Sequence, residues 1–206
     1  SVGSNWSAGI APTSSDNVLF DGRFSTANCE WDAAATPTVA SWTQTADYTG
    51  TGQIDTTYDD TFPALNVSRN VEILCGNWTH KINGANDEQK YHLKAIVGGD
   101  FTLASGCKID AEKKGYWAQK FPAGSAVSAH AASGDGYANV YGNVYRPADL
   151  GAGSNSSGSD SDNKSGGGAV WLEIGGAATL NGTVNVRGRQ FDGSNTACGS
   201  VYVKAK

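Results

Sequence analysis

Carboxylates are the first side chains to test for chemistry, because cleavage of a glycosidic bond needs two of them about 5–9.5 Å apart on a rigid scaffold. Two pairs stand out in the sequence. Asp59 and Asp60 precede Thr61-Phe62-Pro63, and Asp160 and Asp162 lie in a tract of Gly, Ser, Asp and Asn. Both settings are typical of loops rather than of regular strands. We therefore expect solvated surface acids and predict that the protein is not an enzyme.

Few side chains in the sequence have the spacing of metal ligands. Asp160, Asp162 and the adjacent Asn163 offer oxygen donors, so the two aspartates are the candidate calcium ligands. The Gly and Glu that complete an EF-hand loop do not follow them. The three histidines are scattered along the chain and form no HExxH motif. We predict no cofactor and no metal site beyond the calcium candidates.

Aromatic side chains form a more prominent group between residues 111 and 168. Tyrosine and tryptophan rings stack on sugars and also cover apolar surface, so two interpretations stay open: a binding surface for glycan or protein, and packing against the side of the fold. The candidate binding aromatics are Tyr116, Trp117, Tyr137, Tyr141 and Tyr145.

The cysteines indicate an exported protein. Four are present, too far apart in sequence for CxxC pairs, and an even number suits two disulfides in an oxidising compartment. The pairing has three alternatives, and four buried thiols are the competing interpretation. The candidates are Cys29, Cys75, Cys107 and Cys198.

Six Asn-x-Ser/Thr sequons would accept glycans in a host that has the machinery, although some arise by chance in a chain rich in Asn, Ser and Thr. They begin at Asn5, Asn66, Asn77, Asn155, Asn163 and Asn181. Together with the cysteines, and with a sequence that has neither an initiator methionine nor a signal peptide, they favour a secreted or cell-surface location.

Composition excludes several classes of protein. The 206 residues carry a net charge of −5 with no basic cluster, which argues against nucleic-acid binding. No run of about 18 apolar residues is present, so no membrane span is predicted. The 27 glycines and the charged fraction of 17% indicate a folded, turn-rich chain.

An internal repeat predicts the architecture. Residues 97–109 align without gaps on residues 174–186, and residues 65–78 and 40–54 carry the same outline of apolar alternation and glycine corners. Three short alternating faces per unit are typical of a β-solenoid coil. We predict an all-β fold, a single domain over 1–206, interrupted by an irregular insert over 111–168. On composition, residues 149–168 are expected to be mobile unless a partner, glycan or ion orders them.

The chain resembles a known group of proteins in its glycine corners and strand beginnings. The segments that carry the resemblance are 5–22, 42–54, 97–111, 166–188 and 200–205. They are similar to the right-handed parallel β-helices of secreted bacterial autotransporter passengers and adhesin-like surface proteins. The resemblance implies a short right-handed parallel β-helix. It covers most of the chain and implies no catalytic residues, because this group shares none. Such proteins are usually far longer and commonly lack cysteine.

The two ends of the chain indicate self-assembly. Residues 201–206 alternate like a strand, and residues 1–20 form an N-terminal arm. Stacked coils leave unpaired backbone groups at each end, and unlike ends that meet head to tail produce a filament. We predict a secreted structural subunit that self-associates into a homopolymer, either a filament or a surface layer. The assembly candidates are Trp6, Ile10, Val18, Phe20, Val201 and Val203.

Two alternatives remain. One is a carbohydrate-binding or adhesive module that uses the aromatics between residues 111 and 168. The other is a polysaccharide-degrading enzyme, which a cluster of acids with Lys or Arg on one face of the solenoid would indicate.

Overall fold

The computed structural model of this protein describes residues 5–122, 141–154, 164–189 and 196–206. These residues form sixteen strands and no α-helix. Residues 86–90 form bends and irregular backbone. The prediction of an all-β chain is confirmed.

Fifteen of the strands form three parallel sheets of five strands each. The first sheet contains β1 (Asn17–Phe20), β4 (Ser41–Gln44), β8 (Val71–Ile73), β11 (Phe101–Leu103) and β14 (Ala178–Leu180). The second contains β2 (Cys29–Trp31), β5 (Thr51–Ile54), β9 (Asn77–Thr79), β12 (Lys108–Asp110) and β15 (Thr183–Asn185). The third contains β3 (Thr38–Val39), β7 (Leu65–Val67), β10 (Tyr91–Val97), β13 (Ala169–Ile174) and β16 (Ser200–Lys204).

The chain visits the first, second and third sheets in that order five times. We call each passage a coil. The first coil is β1 to β3 and the last coil is β14 to β16. A short additional strand, β6 (Thr56–Thr57), pairs antiparallel with β10. Three parallel sheets connected in this order are compatible with the predicted β-solenoid.

The core lies between the three sheets, where alternate side chains point inward. β4, β5, β7 and β8 alternate buried residues with more exposed ones, as a strand with one buried face requires. Aligned inward residues of successive coils stack on one another, as Ile73 does on Leu103. Trp31, Trp42 and Trp78 meet edge to face with ring centroids 5.2 and 5.5 Å apart. Each fully buried side chain of this size contributes roughly 1.5–3 kcal/mol.

The alignment of residues 97–109 on 174–186 is confirmed before the corner that follows β11 and β14. After that corner the register of the paired strands is shifted. Val97 pairs with Ile174, and Leu103 pairs with Leu180, as the gapless alignment predicts. Beyond the corner, Ile109 pairs with Val184 rather than with Val186. The turn between β14 and β15 is shorter than the turn between β11 and β12, so the register moves by two residues.

The described parts of the insert contradict the mobility expected for residues 149–168. Residues 150–154 and 165–168 are buried. Gly151 donates its N–H to the carbonyl of Gly167 (2.8 Å), and Gly166 donates to Tyr116 (2.9 Å). We call residues 150–154 and 164–168 the glycine layer. Added side chains have no room there: a methyl group on Gly166 would overlap the backbone of Gly151. Extended chains can approach this closely only without Cβ atoms, which explains a glycine content that resembles a flexible linker.

The disulfide prediction is wrong for this structure, because no two of the four cysteines lie at disulfide distance. Cys29 lies in the first coil, whereas Cys198 precedes β16 in the last coil. Cys75 and Cys107 precede the paired strands β9 and β12, but they are out of step. Because Asn77 pairs with Lys108, Cys107 lies opposite Gly76 and not opposite Cys75. The two cysteines are therefore offset by one residue along the neighbouring coils.

Candidate functional site

The two ends of the stack of coils are the strongest candidate sites, and they differ from each other. At one end, the inward-facing residues of the last coil have no coil stacked on them in the described part of the chain. We call this surface the tail face. Its members are Ala178, Leu180, Val184, Val186, Val201 and Val203.

The side chains of the tail face are more exposed than their buried partners in the preceding coil. Leu180 is 38% exposed, although its partner one coil earlier is fully buried. Val201 and Val203 are 37% and 38% exposed, whereas Val170 and Leu172, with which they pair, are 1% and 0% exposed. Apolar side chains at positions that are buried in the preceding coil indicate a surface that a further layer of chain can cover.

The opposite end is covered by residues 5–16, which we call the cap segment. Trp6 contacts Phe20 and Trp31 edge to face, with ring centroids 6.0 and 5.9 Å away. Val18 is 2% exposed in the first coil. Three of the predicted assembly residues, Trp6, Val18 and Phe20, therefore pack within their own chain. In the cap segment Ile10 is 64% exposed.

Charges at the two ends have opposite sign. The first coil and its preceding segment carry four acidic residues and one basic residue: Asp16, Asp21, Glu30, Asp32 and Arg23. Over the described residues 174–189 and 196–206 the charged side chains are all basic: Arg187, Arg189, Lys204 and Lys206. Like ends repel each other and unlike ends attract.

The candidate binding aromatics differ in their exposure. Tyr116 is fully buried, and Tyr141 donates its hydroxyl to the carbonyl of Leu150 (2.6 Å). Trp117 is half-buried. Tyr145 is 88% exposed on a turn, where its N–H bonds to Asn143 Oδ1 (2.9 Å). Tyr137 lies outside the described residues.

Asp59 and Asp60 occupy a turn, as expected. Asp59 Oδ1 accepts hydrogen bonds from the hydroxyl of Thr57 (2.7 Å) and the N–H of Thr61 (2.9 Å). These bonds hold the pKa of Asp59 below its usual value. Asp60 is exposed beside it. Asp160 and Asp162 lie outside the described residues.

A second group of acids was missed in the sequence. Asn185 Nδ2 donates to both Asp110 Oδ1 (3.1 Å) and Glu112 Oε2 (2.9 Å), and Arg187 pairs with Glu112 at 3.3 Å. The spacing of two residues between the acids would have placed them on one face. These acids with an arginine meet the criterion stated for a polysaccharide-degrading enzyme.

The chemistry of this acid group differs from that of a catalytic pair. The amide of Asn185, followed by Arg187, lowers the pKa of Glu112, whereas a general acid needs a raised pKa. The group joins β12 to β15 by side-chain hydrogen bonds. We interpret it as a tie between neighbouring coils.

The described sequons differ in accessibility. Asn5 and Asn181 are exposed, while Asn66 and Asn77 are half-buried on strands. Asn155 and Asn163 fall outside the described residues. In the part of the chain that the structure describes, no three His, Cys, Asp or Glu side chains are placed to hold a metal ion. Within the same part, no helix is long and apolar enough to cross a membrane.

Comparison of the chain with known protein families, with curated proteins and with solved structures found no match. The tail face, the covered first coil and their opposite charges are therefore the basis for a functional conclusion.

Proposed function

We propose that this protein is a structural subunit that associates head to tail, with the tail face of one copy against the first-coil end of the next, to build an extracellular filament or surface layer. The observation that carries the proposal is the exposure of Leu180, Val201 and Val203 at positions that belong to the core in earlier coils. Burial of apolar area against a second copy supplies the driving force.

Charge supports a head-to-tail arrangement over a tail-to-tail one. Two tail faces in contact would bring Arg187, Lys204 and Lys206 towards their own copies, which is unfavourable. The acidic first-coil end is the complementary surface. Because such a contact joins unlike surfaces, it leaves one tail face uncovered after every addition, and growth continues.

The finer fold assignment belongs to the same proposal. We propose the right-handed winding of parallel β-helices, since crossovers between parallel strands are right-handed in about 98% of cases. The likeness to secreted bacterial β-helix proteins supports a cell-surface location.

A matched pair of substitutions on β14 tests the assembly. Leu180→Glu places a charge on the tail face, and Thr179→Glu places the same charge on the adjacent, outward-facing position. Sedimentation velocity at increasing concentration, followed by electron microscopy, measures association. We expect Leu180→Glu to abolish association and Thr179→Glu to retain it.

Two results would contradict the proposal. One is a wild-type protein that stays monomeric at high concentration. The other is equal association by both glutamate variants, which would show that the tail face is not the contact.

A further inference from the structure

We infer that the first coil carries a second docking surface, hidden under the cap segment, and that its occupant is the last coil of another copy of the chain. This inference rests on the proposed function and specifies its contact: the three sheets continue directly from one copy into the next once the cap segment moves aside.

The cap segment contacts the coil at both of its ends. Trp6 makes the ring contacts with Phe20 and Trp31, and the carbonyl of Asp16 accepts a hydrogen bond from Ala40 N (2.9 Å). Residues 7–10 and 13–15 are exposed. Gly9 N bonds to the carbonyl of Trp6 (2.9 Å) and Asp16 N to that of Thr13 (3.1 Å), so these backbone bonds remain within the segment if it swings about Asp16.

The edges of the first coil can pair with the edges of the last coil of another copy, because the two coils supply the opposite end strands of the same three sheets. β1, β2 and β3 are the end strands of their sheets, and β14, β15 and β16 are the end strands at the other side. All pairings within the three sheets are parallel, so a second copy can add β14 beside β1, β15 beside β2 and β16 beside β3 without a change of direction. Main-chain hydrogen bonds then satisfy the edge groups, as in other cases of strand addition.

Side chains agree with this arrangement. Phe20 and Leu180 occupy the two ends of one inward row, in which Gln44, Ile73 and Leu103 lie between them. Direct continuation would bring Leu180 of one copy over Phe20 of the next, in the place that Trp6 takes in the single chain. The two occupants of that place compete, so the cap segment opposes assembly until it is displaced.

The arrangement has a measurable dimension. Each sheet contains five strands, and hydrogen-bonded strands are about 4.8 Å apart, so direct continuation gives an axial repeat of about 24 Å per copy. A cap segment retained between copies adds at least one further layer of chain, about 5 Å or more.

The experiment compares wild type with Trp6→Ala, and uses Ile10→Ala as the control that alters the cap segment but not its contact with the core. Electron microscopy measures the axial repeat, and light scattering measures the assembly rate. We expect a repeat of about 24 Å in all three proteins and assembly about tenfold faster for Trp6→Ala, because a larger fraction of molecules is competent to add.

Each outcome decides the inference. Assemblies with a longer repeat, or slower assembly of Trp6→Ala, overturn it and leave the proposed function standing, since the cap segment would then form part of the contact. Absence of assembly in every variant overturns both. Circular dichroism checks that Trp6→Ala is folded. If it is not, removal of residues 1–12 provides the same comparison.

Discussion

Leu103 and Leu180 are direct partners in the first sheet, in adjacent coils and on the same inward face, yet Leu103 is fully buried and Leu180 is 38% exposed. The same residue type at the same position of the coil is core in one case and surface in the other. The difference arises because the last coil stacks on Leu103, whereas no described coil stacks on Leu180.

Alanine substitutions at these two leucines should have unequal costs. Leu103→Ala removes a fully enclosed side chain and should lower the free energy of unfolding by about 2–5 kcal/mol. Leu180→Ala leaves no closed cavity in a single copy and should cost roughly half as much or less. Urea denaturation at low protein concentration measures both. Equal costs would show that the last coil is covered in solution even at low concentration.

Gln44 is a polar residue in an otherwise apolar inward row, and its replacement should stabilise the fold. Its side chain is fully buried, and neither its amide nitrogen nor its amide oxygen has a partner among the described residues. Gln44→Met keeps similar volume and removes the unpaired groups, so we expect a gain of about 1–3 kcal/mol in thermal or chemical denaturation. Thr43→Val, on the outward face of the same strand, should change stability by about 0.5 kcal/mol or less. A loss of stability in Gln44→Met would instead indicate an internal water that satisfies the amide.

Gly166 should not tolerate even a methyl group. It exchanges backbone hydrogen bonds with Tyr116 and Gly115, both at 2.9 Å, and its Cα faces the backbone of Gly151. Gly166→Ala should cost about 1–3 kcal/mol through overpacking. Ser105→Ala on an exposed turn serves as the control, with an expected change of about 0.5 kcal/mol or less. A neutral Gly166→Ala would mean that the glycine layer is loosely packed in solution.

Mild acid should destabilise the protein through two buried histidines. His80 accepts a hydrogen bond from Ala169 N at Nε2 (3.3 Å), and its Nδ1 bonds to the carbonyl of Lys81 (2.8 Å), which together fit the neutral ring. Burial, aided by His92 and Lys114, lowers the pKa of His80 to about 3. Burial, aided by Lys94, lowers the pKa of His92 to about 4.

The sign of the pH dependence follows from these directions. Both histidines bind a proton more readily in the unfolded chain, where their pKa is near 6.5, than in the folded one. Their contribution to stability is therefore fully present above pH 6.5 and is lost as the pH falls towards about 4 for His92 and about 3 for His80. Between these limits the free energy of unfolding should fall by about 1.4 kcal/mol per pH unit for each histidine. Denaturation at pH 7, 6 and 5 measures it, and His92→Phe should halve it. A stability that stays constant from pH 7 to 5 would contradict the burial of both rings.

The coils were predictable because their signal is local and repeated. Alternation around Leu65 and Val67, and again around Val97, places apolar residues on one face of each strand, and a one-residue slip would expose them. The corner before Ile109 was not predictable, since turns of different length can join the same two sheets and each leaves the alternation intact.

The disulfide prediction and the mobility expected for the described parts of residues 149–168 were wrong for a shared reason. The number of cysteines and the glycine content describe composition, and composition does not say which residues are in contact in the folded chain. Cys75 and Cys107 come within one residue of alignment on neighbouring coils, and that offset leaves Cys107 opposite Gly76. Gly151 and Gly166 have the composition of a linker, but their missing side chains let backbones pack closely.

By itself the sequence determined the three-faced coil, because period-two alternation between glycine-containing corners leaves a strand one face to bury. Only the tertiary structure decided that Trp6 covers the first coil while Leu180 stays open on the last, since both residues read as ordinary apolar positions along the chain. Burial is a property of the neighbouring layer, and a residue's own type and spacing do not say whether that layer is present.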